Sequence, residues 1–527
     1  MSGSITFGEI PDQWEVPGAY AEVTQINSGT TMAGMPLRVL LIGALSASGT
    51  GQAGTIYPNV TASSAQSLAG PGSLMAQAVK AFVTDAPYTV LDMVLVSPQP
   101  GAAKQAWTVT PQVSGSSSSS GTTAASASGT STTATGVAPV VVAAASASGQ
   151  TALQVNGVRV PVAVSGGMTA AQLGAAVAAA WTSDIQLTTG VACVADASGV
   201  LTLTAVEAGG WTADIDVRQS ALAIDTVPGV SFAISTLTAG TGWPDMTPAL
   251  SVTSHTWYTD IVTCLYDAAN LVTFATELKR RFNAMVKLDA HGYFGARATY
   301  GQALAQAETL NCQQMTCLPA GGARWHPAVA AASLAAVASA ALNTDPSRQL
   351  RGLALTALAG LGPDDADRFD ESMRNILLQN GMSTFLVGQD GSVTIERAMT
   401  TYQADSNGNA AEMDARDIMV PKTATRIRYE WNLYISTTYP RAKLADDGSP
   451  LANVTSAQVV TPTVVRNAWA GQSRLYENQG WIENTSDLAK KAIFTRHATD
   501  RNRLDSYLPI QVIGALIVVA SSIQLQE

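Results

Sequence analysis

The side chains in this chain that could do chemistry are few and poorly placed for it. Histidine occurs only as His255, His291, His326 and His497. A Ser-His-Asp triad needs a serine lifted on a tight strand-to-helix turn with a histidine in reach. No histidine here has that context, and Ser383, in NGMSTF, falls just past a helix end with no base assigned to it. His291 lies in DAHGYFG, an aromatic segment that suits a core or loop histidine. Cys193 and Cys264 stand alone, and Cys312 and Cys317 stand five apart with His326 downstream. Structural zinc wants four ligands at paired spacing, so all four cysteines read as free thiols. Asp364, Asp365 and Asp367 read as helix-start residues, not as an acid-base pair. Gly49, Gly51 and Gly54 spell G-x-G-x-x-G, but Gly49 comes six residues after Gly43 and TIYPNV beyond it is not helical. The strand-to-helix junction that makes this motif a phosphate cradle is missing, which leaves a surface loop. These residues predict no enzyme, no metal and no cofactor.

The charges are more informative. Only 13% of residues are charged and the net charge is -10, which argues against nucleic acid as the main partner. A surface so poor in charge gains little solubility from repulsion. Either other subunits cover it or the composition is simply biased towards alanine. From Pro421 to Ile510 the balance reverses, with 12 Lys or Arg against 8 Asp or Glu. Opposite signs in different parts of one chain suit subunits that stack on copies of themselves. Arg426, Arg428, Arg441 and Lys443 can hold phosphate, but carboxylates of another copy or of another protein are the better match. The apolar stretches Ala328–Leu342 and Leu508–Ala520 fall short of the roughly 20 residues that cross a bilayer. With no signal-peptide pattern, the chain reads as a soluble protein made in a cytoplasm.

The elements follow from apolar patterning. Residues 1–36 are extended and turn-rich, with a lone strand at Ala19–Val23, and read as an arm. Leu37–Ile42 and Val90–Ser97 are continuous apolar runs, as buried strands require. A helix capped by Ser73 runs between them to Phe82, which predicts a parallel βαβ unit. Composition breaks near Pro98. Ser114–Thr135 is almost all Ser, Gly, Thr and Ala. Short β-like pieces at Thr151–Val164, Val200–Val206 and Ala213–Arg218 surround a helix at Thr169–Trp181. After Pro244 the α/β pattern resumes with a strand at Trp257–Leu265 and helices at Asn270–Phe282, Leu304–Leu310 and Ala328–Leu342. Asp364–Asn380 reads as one helix. Thr384–Val387 and Val393–Arg397 flank Asp390-Gly391, a strong hairpin signal. Ile427–Tyr439 reads as helix into loop, Leu475–Ile482 as a strand, Asn484–Thr495 as a helix and Tyr507–Leu525 as β. The predicted organisation is an arm (1–36), an α/β core in two parts (37–100 and 244–380), an inserted β-rich domain (101–243), an α+β C-terminal domain (381–506) and a closing strand (507–527).

Several of these segments resemble the contractile tail sheath proteins of Mu-like phages. SITFGEIPDQWEVPGAYAEV (Ser4–Val23) resembles that family's opening, and PLRVLLIG (Pro36–Gly43) its first core strand. LAGPGSLMAQAVKAF (Leu68–Phe82) resembles its helix entry, with Ala69 where the family has an aromatic residue. VTIERAMTTYQ (Val393–Gln403), WNLYISTTYPRAKLADDG (Trp431–Gly448) and LPIQVIG (Leu508–Gly514) resemble its later signatures. The resemblance covers 1–98 and 244–527 and leaves the insert aside. It implies an α/β body of subtilisin-like topology without a protease triad. It also implies hexameric rings stacked helically around a tail tube, with baseplate and tail terminator proteins as further partners. Terminal arms would add strands to neighbouring sheets and hold while the bodies rotate in contraction. On that pattern Ala19, Tyr20, Val23, Gln511, Val512, Ile513, Leu516 and Val518 are the linking positions. The C-terminal half, with Arg426, Arg428, Arg441 and Lys443, would face the tube and the insert would face outward. Another self-assembling capsid or surface-layer subunit is the alternative, and a subtilisin-like hydrolase a remote one.

Overall fold

Continuous apolar runs build the central sheet. VLLIGA forms β1 (Val39–Ala44) and LDMVLV forms β2 (Leu91–Val96), each buried along its whole length. β3 (Asp260–Thr263), β4 (His291–Ala296) and β5 (Met315–Pro319) are buried in the same way. The five run parallel in the order β5-β4-β3-β1-β2, and the two-residue strand Ile56–Tyr57 closes the β2 edge antiparallel. The computed structural model from which this is drawn describes residues 34–115, 143–319, 321–405, 407–453 and 458–525. The strand expected at Ala19–Val23, with Ala19, Tyr20 and Val23, therefore lies outside the described residues, as does nearly all of Ser114–Thr135.

Strands apolar on both faces need cover on both. α1 (Leu74–Asp85) starts at Ser73, whose side chain accepts from the Ala76 amide. α2 (Ala268–Phe282) is capped by Asp267 and ends in Lys279, Arg280 and Arg281, where exposed carbonyls favour cations. α3 (Pro327–Thr344) is the alanine run. Two glycines of β4 show which helix covers which face. A Cβ on Gly292 would meet Phe274 and Leu278 of α2, while one on Gly295 would lie 2.0 Å from the Pro327 carbonyl oxygen at the start of α3. Positions three apart on a strand face opposite sides, so α2 and α3 cover opposite faces. α3 also packs along α1, and small residues on both permit close approach. Among the described residues α3 is the one helix long and apolar enough to cross a membrane, and two-thirds of it is buried inside the molecule.

Residues 106–238 leave β2 and build two antiparallel sheets. One orders Val230–Thr238, Ala106–Val113, Leu201–Ala205 and Val191–Ala195; the other orders Val158–Val164, Gly149–Val155 and Val217–Gln219. The hairpin between Gly149–Val155 and Val158–Val164 turns at Asn156-Gly157, both at positive φ, as a two-residue turn demands. Val109, Leu153, Leu173, Val177, Leu201 and Leu203 share a core of their own. Further on, the hairpin Thr384–Val387/Val393–Arg397 places Val393 and Ile395 in the main core, which joins it to the body. α4 (Met419–Thr438), α5 (Pro462–Asn478) and the pair Ile493–Arg496/Leu504–Tyr507 surround a third core of Trp469, Tyr476, Trp481 and Phe494.

Several expected elements differ, and one is the helix expected at Asn484–Thr495, which ends at Lys491 and gives way to the strand Ile493–Arg496. The helix expected over Asp364–Asn380 starts only at Glu371, with Asp370 as its cap. The earlier acids are spent in a tight turn, where Asp364 accepts from Arg324 and Asp365 pairs with Arg368. Leu475–Ile482 is not a strand, because Leu475–Asn478 is the last turn of α5. Val465, Trp469, Gln472 and Tyr476 recur at helical spacing on its buried face. Beyond Tyr507 the β expectation also fails, since the chain to Leu525 makes a single bridge, Val512 to Ile482.

Candidate functional site

In an open parallel α/β sheet, ligands bind in the crevice beyond the carboxyl ends of the strands. Here the chain fills that place with its own insert. Segment 207–216 carries the short 3₁₀ helix Gly210–Asp214 into the body. Trp211 belongs to the main core and packs edge-on against Trp243, which does the same against Tyr266 just past β3. The Tyr266 hydroxyl donates to Asp214 at 2.6 Å, and Arg297, just past β4, lies 3.6 Å from Asp216. His326 caps α3, its Nδ1 accepting from the Ala328 amide at 3.2 Å. Its Nε2 therefore carries the proton and donates to the Trp211 carbonyl at 3.0 Å. Burial lowers the His326 pKa to about 3, so the ring is neutral. Glu207 completes the plug, its Oε2 accepting from the Leu74 amide at 2.8 Å and from the Trp211 indole at 3.3 Å.

A second clamp sits at the opposite, amino end of the sheet. Lys422 of α4 bonds Asp260 at the start of β3; their side chains are 8% and 1% exposed. Tyr293 donates to the same carboxylate at 2.9 Å. Arg428, six residues further along α4 than Lys422, donates to Asp289 at 2.8 Å and to the Phe282 carbonyl at 3.0 Å. Arg426 is buried, pairs with Glu430 one turn on and lies over the Trp481 ring. The expectation that Arg426 and Arg428 reach another protein is thus corrected, because their carboxylates belong to this chain. Arg441 and Lys443 are exposed.

The residues weighed for catalysis are used structurally. His291 is buried, with Nε2 2.8 Å from the Thr316 hydroxyl. The Ser383 hydroxyl accepts from the Met399 amide at 3.0 Å. The amides of Gly49, Thr50, Gly51 and Gly54 donate to Ser46, Ser67, Leu68 and Leu95 carbonyls, so they are not free to cradle phosphate. All four cysteines are free thiols, and burial pushes Cys193 up to about 12. Among the described residues no group of three or more His, Cys, Asp or Glu could hold a metal.

What the body does not absorb is the C-terminal tail. Its first residues stay home. The Gln511 carbonyl accepts from Glu483, and the Ile513 amide donates to Trp481. Gln511, Val512 and Ile513, expected on a neighbour, are thus held at least on one edge by their own chain, because the α5 exit offers an unpaired backbone there. From Gly514 the tail has no strand partner among the described residues. Leu516 is 80% exposed and Val518 77%, with Val519, Ile523 and Leu525 similarly bare. A run this apolar and this unpaired is a feature that monomers avoid.

Sequence reading missed Glu207, Trp211, Asp260, Asp289 and Lys422. In a chain with so few charges, an acid inside AVEAGGW was the available signal.

Residues 239–401 match the phage tail sheath protein central domain. The chain is 26% identical over 528 residues to the Mu-like prophage FluMu tail sheath protein of Haemophilus influenzae, covering 99% of each. It is also similar to two solved sheath tail proteins. One, from Desulfitobacterium hafniense, has a TM-score of 0.47 at 11% identity over 95% of this chain and 97% of that one. The other, from Listeria innocua, has a TM-score of 0.46 at 12% identity over 92% and 93%.

Proposed function

From the phage tail sheath domain that it carries and its end-to-end likeness to a Mu-like prophage sheath protein, we propose that this chain is the sheath subunit of a contractile phage-type tail. It assembles in the host cytoplasm, becomes part of the virion tail and acts mechanically, without a catalytic step. Copies form hexameric rings stacked helically around an inner tube, and contraction drives that tube through the host envelope. Tube, baseplate and terminator proteins are its partners. The observation that carries the assembly part is the tail beyond Gly514, where Leu516, Val518, Val519, Ile523 and Leu525 are bare. Such a segment can add backbone hydrogen bonds and an apolar face to a neighbour's sheet. Each hydrogen bond nets about 1 kcal/mol, so one link is weak, but many links in a lattice act together. The arm expected at Ala19–Val23 would make the second link. The C-terminal region, with Arg441 and Lys443 exposed, faces the tube, and the insert, at the opposite end of the sheet, faces outward.

Sedimentation of full-length protein beside a chain ending at Ile513 tests this reading. The full chain should pellet as polymer and the truncated chain should stay as folded single subunits. Polymer of equal size from both would refute the tail's role.

A further inference from the structure

The insert is joined to the body by a buried carboxyl group, and that group has an unusual position. Glu207 is buried, and its Oε2 takes the Leu74 amide at the first turn of α1. It also takes the indole N–H of Trp211, the residue that enters the body's core. We propose that the carboxyl of Glu207 is a proton-operated latch, which holds the insert to the body while protonated and loosens that junction once ionised. This concerns contacts within one chain and does not depend on the sheath reading.

The elements packed around Glu207 offer little charge to hold the anion. The first turn of α1 has no acidic residue and offers only its amide. From the insert, Lys104 is the nearest cation, but its ammonium is engaged by the Val206 carbonyl at 2.8 Å. Past β3, Cys264 presents a buried thiol that burial and Glu207 itself keep protonated. Further along the plug, Asp214 is held by Tyr266, with Arg297 and the neutral His326 behind it. Among the described residues no buried guanidinium or ammonium meets the Glu207 oxygens. Burial therefore outweighs the pull of the Leu74 amide, the Trp211 indole and Lys104, and lifts the carboxyl from 4.5 to about 7.

The sign follows from linkage. An opened junction returns Glu207 to water and its ordinary value of 4.5. The closed form then holds a proton that the open form has lost. Closure is strongest below pH 4.5, falls about tenfold per pH unit as pH rises towards 7, and levels off above. Asp214, also raised by burial, adds in the same direction.

Hydrogen exchange of the full chain between pH 5 and 8.5 tests the latch. Rates are divided by intrinsic rates to give protection factors, and β1 amides serve as the reference for global unfolding. Protection at Leu74 and at Trp211–Asp214 is expected to fall about tenfold per pH unit from 5 to 7 and then stay level. Glu207→Gln keeps an acceptor but cannot ionise, and should flatten most of that fall. Asp214→Asn should leave a fall that ends near pH 7. A flat profile in the unmodified protein overturns the proposal whether or not the variants fold. So does a fall that persists unchanged in Glu207→Gln or disappears in Asp214→Asn.

Discussion

Lys422 and Asp260 stand on α4 and β3, far apart in the chain, and meet where water does not reach. Removing one partner leaves the other charge buried and uncompensated. Asp260→Ala should cost ~3–5 kcal/mol of stability, read as a lower urea midpoint. Arg428→Ala should also destabilise, because Asp289 loses its partner. Arg441→Glu and Lys443→Glu touch exposed side chains and should shift stability by no more than ~0.5 kcal/mol. Their effect, if these residues meet the tube, appears as lost assembly on the tube with normal unfolding. Val518→Asp belongs to the same class. It should leave the thermal midpoint of the subunit unchanged and weaken polymer formation. A lowered midpoint would mean that Val518 packs on its own body.

At the scale of elements, the insert is less separable than its composition suggests. Because 101–243 interrupts an α/β pattern, the sequence alone predicts that a short Gly-Ser bridge from Gln99 to Gly242 leaves a soluble body. The plug changes that expectation. The bridge would remove Trp211 from the body's core and leave Trp243, Tyr266 and His326 facing a hole. Loss of a buried tryptophan costs ~3–5 kcal/mol, so the bridged body should unfold at clearly lower denaturant than the full chain. Equal midpoints would refute the plug's structural role. The same contrast explains what the sequence made legible. β1, β2 and β3 are readable as strands because buried parallel strands are rich in apolar residues on both faces, and α1 because Ser73 caps an apolar stripe. Local turns such as Asp390-Gly391 were readable for the same reason: the signal sits within a few residues. α5 is hidden because its polar face interrupts the apolar run, and its last turn reads as the start of a strand over Leu475–Ile482. The tail reads as β from its apolar content, which predicts burial but not by whom. Both clamps were invisible, since Glu207 meets Leu74 across 133 residues and Lys422 meets Asp260 across 162. No local pattern encodes such pairs.

For the molecule as a whole, the sheet joins two ends. The insert is fixed at the carboxyl ends of the strands by Glu207, Trp211 and Asp214, and the C-terminal region at the amino ends by Lys422 and Arg428. On the sheath reading, the buried parallel strands would carry a turn imposed at one end to the other. After Ile513 the tail rests on the body, among the described residues, only through Ala515 and the Ile517 carbonyl, which accepts from Arg351, so on the sheath reading a link made by its outer residues would persist while the body turns. Electron microscopy of the purified full-length chain tests the account most directly. The sheath reading predicts tubes of stacked rings with sixfold symmetry and the insert on the outer surface. Closed shells, flat arrays, or single particles that never associate at any concentration would contradict it.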